Sequence, residues 1–232
     1  MKLDILKGLN AEREARRAAV VVTDVESGTQ RLVKARDFAA DPLRAELSKQ
    51  LRMGKSGTIE ANERKLFLNV YAPTARMVII GAVHISQALA PLARSLDYDV
   101  TVVDPRTAFA SPERFPDVPL IAEWPDVALP PLNIDHYTAF VALTHDPKID
   151  DPALLHAFER DCFYIGALGS RKTHAKRAER LKAQGAKDGD IERIHAPIGL
   201  SIGAVSPSEI AVAIMAEITA QLRLPREKEA AA

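Results

Sequence analysis

At 232 residues the chain is long enough for one large domain, or for a small domain beside a medium one. Lysine plus arginine and aspartate plus glutamate both number 31, so no global field draws it to nucleic acid or to an anionic membrane surface. A single cysteine, Cys162, excludes an internal disulfide framework and any CxxC metal site, and no apolar run approaches the ~20 residues that span a bilayer.

The opening stretch, Met1 to Arg17, is charged and amphipathic, unlike a secretory leader, so a cytoplasmic, reducing location is expected. It predicts a helix with Leu3, Leu6 and Leu9 toward a core. Ala19 to Val25 is rich in strand formers, Glu26 to Thr29 is a turn, and Gln30 to Lys34 returns as a hairpin partner. Asp41-Pro42 predicts a helix start, with Leu43, Leu47 and Leu51 at helical spacing and a stop at Gly54 to Gly57. Gly54-Lys55-Ser56 is no phosphate loop, because Lys49 stands where the leading glycine is required. Lys65 to Tyr71 is a further strand. Residues 1–72 thus form a small N-terminal α/β unit, bounded by Ala72-Pro73-Thr74.

The centre of the chain is residues 76–106. The apolar run Met77 to Ile80 ends at Gly81, and a helical pattern carries Ile85, Leu89, Leu92 and Leu96, with Pro91 expected to bend or weaken it. A second apolar run, Val100 to Val103, ends in Asp104. An acid roughly 20 residues after the glycine is the spacing of a dinucleotide-type crossover. Glycine lets the backbone turn sharply off the strand, and the helix N-terminus presents N–H groups to an anion. Val83, however, fills the slot where a second glycine lets a pyrophosphate approach the backbone, so the βαβ topology is signalled far better than NAD(P) binding.

Residues 105–118 carry three prolines and read as loop. Leu120 to Ala122 is a short strand, Pro125 to Asp135 is irregular, and Tyr137 to Leu143 is a buried strand. Asp151-Pro152 predicts a helix start, Cys162 to Ile165 a strand, and Ser170 the cap of a helix from Arg171 to Gln184. Ile191 to Ile194 reads as a turn of helix and Pro197 to Ala204 as a glycine-bearing loop. Ser206-Pro207-Ser208-Glu209 is a capping box with proline at N1, opening a helix that turns Ile210, Ile214, Ile218 and Leu222 inward. Residues 73–225 make the main domain, and 226–232 a fraying tail. Alternating strands and helices imply a parallel sheet covered on both faces, with ligands beyond the carboxyl ends of its strands.

The polar clusters follow strand ends and should meet on one rim. His84, after Gly81, is a donor to a bound group or a polar cap. Asp104 and Arg106 are polyol and phosphate contacts or a salt-bridged loop. Thr144, His145 and Asp146 are acid–base groups, part of a metal site, or a hydrogen-bonded turn. Gly166, Gly169, Ser170 and Arg171 are a phosphate-binding turn or a tight strand-to-helix connection. The basic run from Arg171 to Lys182 reads as a solvated helix face, and Cys162 as a core residue rather than a nucleophile.

Residues 76–223 resemble the Rossmann-like C-terminal domain of the XdhC/CoxI family, accessory proteins in xanthine dehydrogenase and carbon monoxide dehydrogenase maturation. The segments that carry the resemblance are VIIGAVHISQALA, DVTVVDPR, THDPKIDDPALL, FYIGALGSRKTHAKRAERL, IHAPIGLSIGA and SPSEIAVAIMAEI, in that order. The resemblance implies an accessory protein rather than an enzyme. It would bind molybdenum cofactor (molybdopterin) at the rim residues named above and deliver it to an apo molybdenum hydroxylase. A cysteine desulfurase is a further implied partner; separately, the small N-terminal unit is expected to mediate a homodimer. Many members have glycine at position 83, a subgroup has valine, and many have aspartate where Ser201 stands. Longer members carry a cysteine-bearing N-terminal segment. Residues 1–70 contain no cysteine, so a holding or delivery role is expected and a persulfide-carrying role is not. The rival readings are an NAD(P)-dependent oxidoreductase using Asp104 and the His145 region, and a nucleotide-sensing regulatory module.

Overall fold

The computed structural model describes residues 2–61 and 63–225; the tail at 226–232 lies outside them. The described residues divide into two compact units, one of residues up to 73 with 223–225 and one of 74–222.

The first unit opens with α1 (Leu3–Glu14), followed by β1 (Ala19–Asp24), β2 (Gln30–Lys34), α2 (Arg44–Met53), β3 (Gly57–Ala61) and β4 (Arg64–Tyr71). The four strands form an antiparallel sheet in the order β2-β1-β4-β3. Successive β1 side chains point to opposite faces. Ala19 and Val21 pack against Ile5 and Leu9 of α1, and Val20 and Val22 against Leu47 of α2 and Leu68. Leu9 faces inward as expected, but Leu3 and Leu6 are exposed. The buried α1 positions are Ile5, Leu9 and Glu12, one stripe at helical spacing. Asp41 does not cap α2; its carboxylate receives the Leu43 N–H and Arg31, and the helix begins at Arg44. The edge strand β3 was not expected, since it is only five residues long with no fully buried position, and pairing with β4 supplies its order.

The second unit contains β5 (Arg76–Ile80), α3 (His84–Ser95), β6 (Asp99–Val103), β7 (Leu120–Ile121), α4 (Pro125–Ala128), β8 (Thr138–Ala142), α5 (Pro147–Phe158), β9 (Tyr164–Ala167), α6 (Arg171–Ala183), α7 (Asp188–Glu192), β10 (Ile194–His195) and α8 (Pro207–Arg223). Its six strands are all parallel, in the order β10-β9-β8-β5-β6-β7. One face, carrying Met77, Ile79, Val102 and Val141, is covered by α3 and α8. The other, carrying Val78, Ile80, Phe140 and Ile165, is covered by α4, α5 and α6. This is the Rossmann-like α/β architecture that the alternation of strands and helices predicted.

Local signals set several helix ends. Ser206 and Glu209 exchange hydrogen bonds at the start of α8, and Ser170 accepts the Thr173 N–H at the start of α6. α3 runs unbroken through Pro91. Three boundaries moved. α5 begins at Pro147 with Asp146 as its cap, not at Asp151-Pro152. The stretch 125–135, read as irregular, holds α4 and a 3-10 turn. Ile194, read as helix, is the start of β10 and pairs with Ile165. Among the described residues, no helix is long and apolar enough to cross a membrane.

In the first unit, the buried Glu12 carboxylate receives Arg17 at 2.7 Å, Arg36 at 3.2 Å and Lys34 at 3.4 Å. The Arg17 hydrogen bond outweighs the opposing effect of burial, and with Lys34 and Arg36 it holds the Glu12 pKa at about 2, against an ordinary 4.5. A depressed folded-state pKa contributes stability that is complete above the ordinary value and lost as pH falls through the folded one. Thermal melts of wild type and Glu12→Gln should therefore differ most near neutral pH, with wild type higher. The difference should close between pH 4.5 and about 2; a pH-independent difference would refute the assignment.

Candidate functional site

From β5 the chain runs outward to β6 and β7, then returns with β8 on the other side of β5. Such a reversal leaves a crevice beyond the strand carboxyl ends, where open α/β sheets take ligands. The register levels these ends. Ile80 lies opposite Val103 on β6 and Ala142 on β8, and Ala142 lies opposite Ala167 on β9. Gly81, Asp104, Thr144 and Gly169 consequently leave the sheet along one edge.

The first turn is tightly made. Gly81 has φ +109°, and a Cβ there would stand 2.7 Å from Thr144 Cγ2 and 3.3 Å from the Thr144 nitrogen. Its N–H donates to the Val103 carbonyl at 2.8 Å, and its own carbonyl accepts from the buried Ser86 hydroxyl. The next N–H, from Ala82, donates to Asp104 Oδ2 at 2.7 Å. His84 follows Val83 as the first residue of α3, with its side chain exposed.

Asp104 is 0% exposed. Besides Ala82, it accepts from the Arg106 N–H at 2.9 Å, Nε at 2.9 Å and Nη2 at 2.8 Å. Burial pushes its pKa up, but Arg106 and the two backbone N–H groups more than offset that, and the carboxyl sits below its usual range. Both oxygens are therefore engaged inside the fold: Asp104 is built as the salt-bridged loop of the two readings, with no open acceptor face for a polyol. Arg106 is only partly buried. Its guanidinium lies 4.5 Å from the Phe109 ring centroid, and its pKa is raised first by Asp104 and then by the nearby Asp146 and Asp150 charges.

The second turn rests on Asp150, an acid that sequence reasoning passed over. Its buried carboxylate accepts from the Thr144 hydroxyl at 2.6 Å, the Thr144 N–H at 3.3 Å and the His145 N–H at 3.0 Å. This clamp holds His145 at φ +61°, an uncommon backbone for a non-glycine residue, with its side chain exposed. Burial raises the Asp150 pKa despite those donors and Arg177. The half-buried Asp146 caps α5 through the Lys148 N–H at 2.9 Å.

The third turn is shorter than expected. Gly166 lies inside β9, where a Cβ would meet Ile198 at 2.5 Å; the turn proper is Leu168-Gly169-Ser170. Gly169 has φ +132°, and Ser170 and Arg171 are exposed. The basic run beyond them is not uniformly solvated. Arg177 is 2% exposed, its Nη2 donates to the Leu168 carbonyl at 2.7 Å, and its guanidinium approaches Asp150 Oδ2 to 4.0 Å.

Other groups gave no sequence signal. Arg114, in the proline-bearing loop, donates to the Ala82 carbonyl at 2.9 Å and to Gln87 at 2.9 Å, fastening that loop to the first turn. Glu217 of α8 accepts from Tyr164 at 2.6 Å and from the Gly199 N–H at 2.8 Å, and faces His195 Nδ1 at 3.2 Å. Burial and Glu217 together raise the Tyr164 hydroxyl well above its ordinary pKa. Cys162 is buried, and burial pushes its thiol up to about 12, so it carries no nucleophile. In the N-terminal unit a cleft of about 500 Å³ opens beside Asp24, Arg31 and Arg64. Its charges are already paired, Arg64 with Asp24 and Arg31 with Asp41.

The fold and its rim thus define a Rossmann-like α/β protein with polar turns at the carboxyl ends of its central strands. Residues 77–218 match the XdhC Rossmann domain, and the chain belongs to the XdhC family. It is 33% identical over 155 residues to the uncharacterized protein YqeB of Escherichia coli K12, covering 66% of this chain and 28% of that protein. It is 32% identical over 154 residues to a Bacillus subtilis 168 protein named as a probable xanthine dehydrogenase subunit, covering 66% and 44%. It is 31% identical over 159 residues to the molybdenum cofactor insertion chaperone PaoD of Escherichia coli K12, covering 68% and 43%. The chain therefore spans less than half the length of each of these relatives. A crystal structure described as a xanthine dehydrogenase from Bacillus halodurans superposes with a TM-score of 0.65 at 23% identity, over 97% of this chain and 67% of that one, a likeness of fold.

Gly81→Val should lower stability by at least about 2 kcal/mol, from the left-handed backbone and the overlap with Thr144 together. Adding Thr144→Ser removes the Cγ2 that the new Cβ would meet at 2.7 Å. The double variant should recover part of the loss in chemical denaturation; no recovery would mean that this contact does not set the turn.

Proposed function

We propose that this chain is a binding and delivery protein for molybdenum cofactor, acting in the maturation of a molybdenum hydroxylase. The observation that carries this reading is the levelling of three strand-to-helix turns on one edge, in a chain whose relatives include a protein named as a molybdenum cofactor insertion chaperone. In this reading the cofactor is cargo. A pterin edge needs hydrogen-bond donors and acceptors, and the exposed imidazoles of His84 and His145 and the partly buried Arg106 and Asp146 offer both kinds around the crevice. The exposure of those groups suits a guest that has to leave again, because an open lip places few barriers before transfer. The apo-hydroxylase is the partner that would accept the cargo, and a cysteine desulfurase one that would act on it beforehand.

A dinucleotide oxidoreductase fits less well. Val83 carries its side chain where a pyrophosphate would press, and the Ala82 N–H and both Asp104 oxygens are already engaged.

The full chain, purified from cells that make the cofactor, should carry molybdenum and a fluorescent pterin oxidation product in equal amounts. It should also restore activity to an apo-hydroxylase. His84→Ala and His145→Ala should each reduce pterin content several-fold with unchanged thermal melts. Pterin-free protein from such cells, or turnover of NADH, would overturn the reading.

A further inference from the structure

Three helix N-termini reach the crevice, and they differ in sign. At α3 the turn is committed to Asp104, whose carboxylate takes the Ala82 N–H at 2.7 Å, and Val83 crowds the approach. At α5 the cap is the Asp146 carboxylate, Pro147 has no N–H to offer, and Asp150 lies in the first turn. α3 has no acid in its first turn, but of the three ends α6 is the one that carries two basic side chains, Arg171 and Lys172, and no acid. α6 is 13 residues long, and its cap is the neutral Ser170. Ser170 takes the Thr173 N–H at 3.2 Å, which leaves the N–H groups of Arg171 and Lys172 at the open end of the helix. The side chains of those two residues are basic and exposed, and Gly169 at φ +132° bares the backbone just before them.

A second feature adjoins this turn at Leu168. Arg177 is two turns along α6, but long helical side chains lean back toward the N-terminus. Its Nη2 reaches the Leu168 carbonyl at 2.7 Å, the residue before Gly169. Its Nε and Nη1 are buried and have no hydrogen-bond partner, and Asp150 Oδ2, at 4.0 Å, is beyond hydrogen-bond reach. A buried guanidinium with N–H groups unmet is costly, and in surroundings of low dielectric its charge acts strongly on whatever sits above it. An anion on the Gly169 turn would supply the compensation that the protein itself does not.

We infer that the Leu168-Gly169-Ser170 turn and the α6 N-terminus, backed by Arg177, form a binding site for a phosphate-class oxyanion. This rests on the carrier reading insofar as the oxyanion is the phosphate of the guest. The site moves the anion from the first glycine turn, its usual place in this architecture, to the turn after β9. The guest would then lie across the edge, its phosphate at α6 and its pterin toward Thr144 and Gly81.

The test is a titration of the ¹⁵N-labelled full chain with inorganic phosphate. Amide resonances of Gly169 to Thr173 should shift saturably, while those of Ala82 to Ser86 stay still. Arg177→Met should weaken binding about tenfold or more, and Arg171→Ala, at an exposed position that keeps the fold, several-fold. Movement at the first turn instead, no saturable shift, or equal binding in both variants would overturn the site. Phosphate should also displace pterin from loaded protein; if it cannot, the oxyanion site is not that of the guest. Should phosphate behave as expected while no pterin ever co-purifies, the oxyanion site stands and the carrier reading falls. Should pterin be retained while phosphate ignores Arg177 and Arg171, the reverse holds.

Discussion

The closeness of two strand ends governs the crevice. Gly81 and Thr144 leave neighbouring parallel strands so near each other that not even a methyl group fits between them. Two buried carboxylates maintain that spacing from either side. Asp104 draws the Ala82 N–H toward the end of β6, and Asp150 gathers the hydroxyl and N–H of Thr144 together with the His145 N–H. Each of these acids is itself fully covered, so its charge must be met inside the fold. Arg106 meets one at hydrogen-bond distance, whereas Arg177 meets the other only across 4.0 Å. The rim is therefore rigid at the first turn and electrically unfinished at the third.

This division of labour explains what the sequence could and could not reveal. The β5-α3-β6 crossover was legible because its signals are local: apolar runs of strand length, a glycine where the backbone must turn, and an acid at the next strand end. The Ser170 and Ser206 caps were legible for the same reason, since a capping side chain bonds its own helix. The role of Asp104 was legible only as one of two alternatives. Its spacing is that of a ribose acceptor, but nothing in the spacing says that Arg106, two residues on, takes both oxygens. The start of α5 shows the limit of local signals directly. Asp146-Pro147 and Asp151-Pro152 are the same dipeptide, and the choice falls to tertiary partners. Asp151 is held by Arg180 of α6 at 2.7 Å and 3.0 Å, leaving Asp146 at the helix end.

Arg177 is the clearest case of context overriding composition. Within a run of basic residues it is indistinguishable from its neighbours, yet α6 buries this arginine beside Asp150, while Arg180 reaches Asp151 from a part-exposed position. Arg177 lies one turn before Leu181 on the same buried face of α6, and its long side chain leans back toward the turn. The short strands β3 and β10 were missed for a related reason: runs of only two to five residues acquire strand geometry from the partner that pairs with them.

The proposed shift of the anion away from the first glycine turn would follow from what each turn is tied to. The first turn sits at the centre of the sheet, between β6 and β8, and any movement there disturbs both neighbours. The turn after β9 lies two strands away from it, against the two-residue edge strand β10. Holding an anion at the outer turn separates recognition from the structural clamp, so that a guest can be gripped or released without unsettling the Gly81–Thr144 contact. An enzyme that keeps its nucleotide through many turnovers gains nothing from that separation. A protein that must surrender its cargo intact does, because the free energy of release is then set by a solvent-facing helix end and one buried arginine rather than by the core of the sheet.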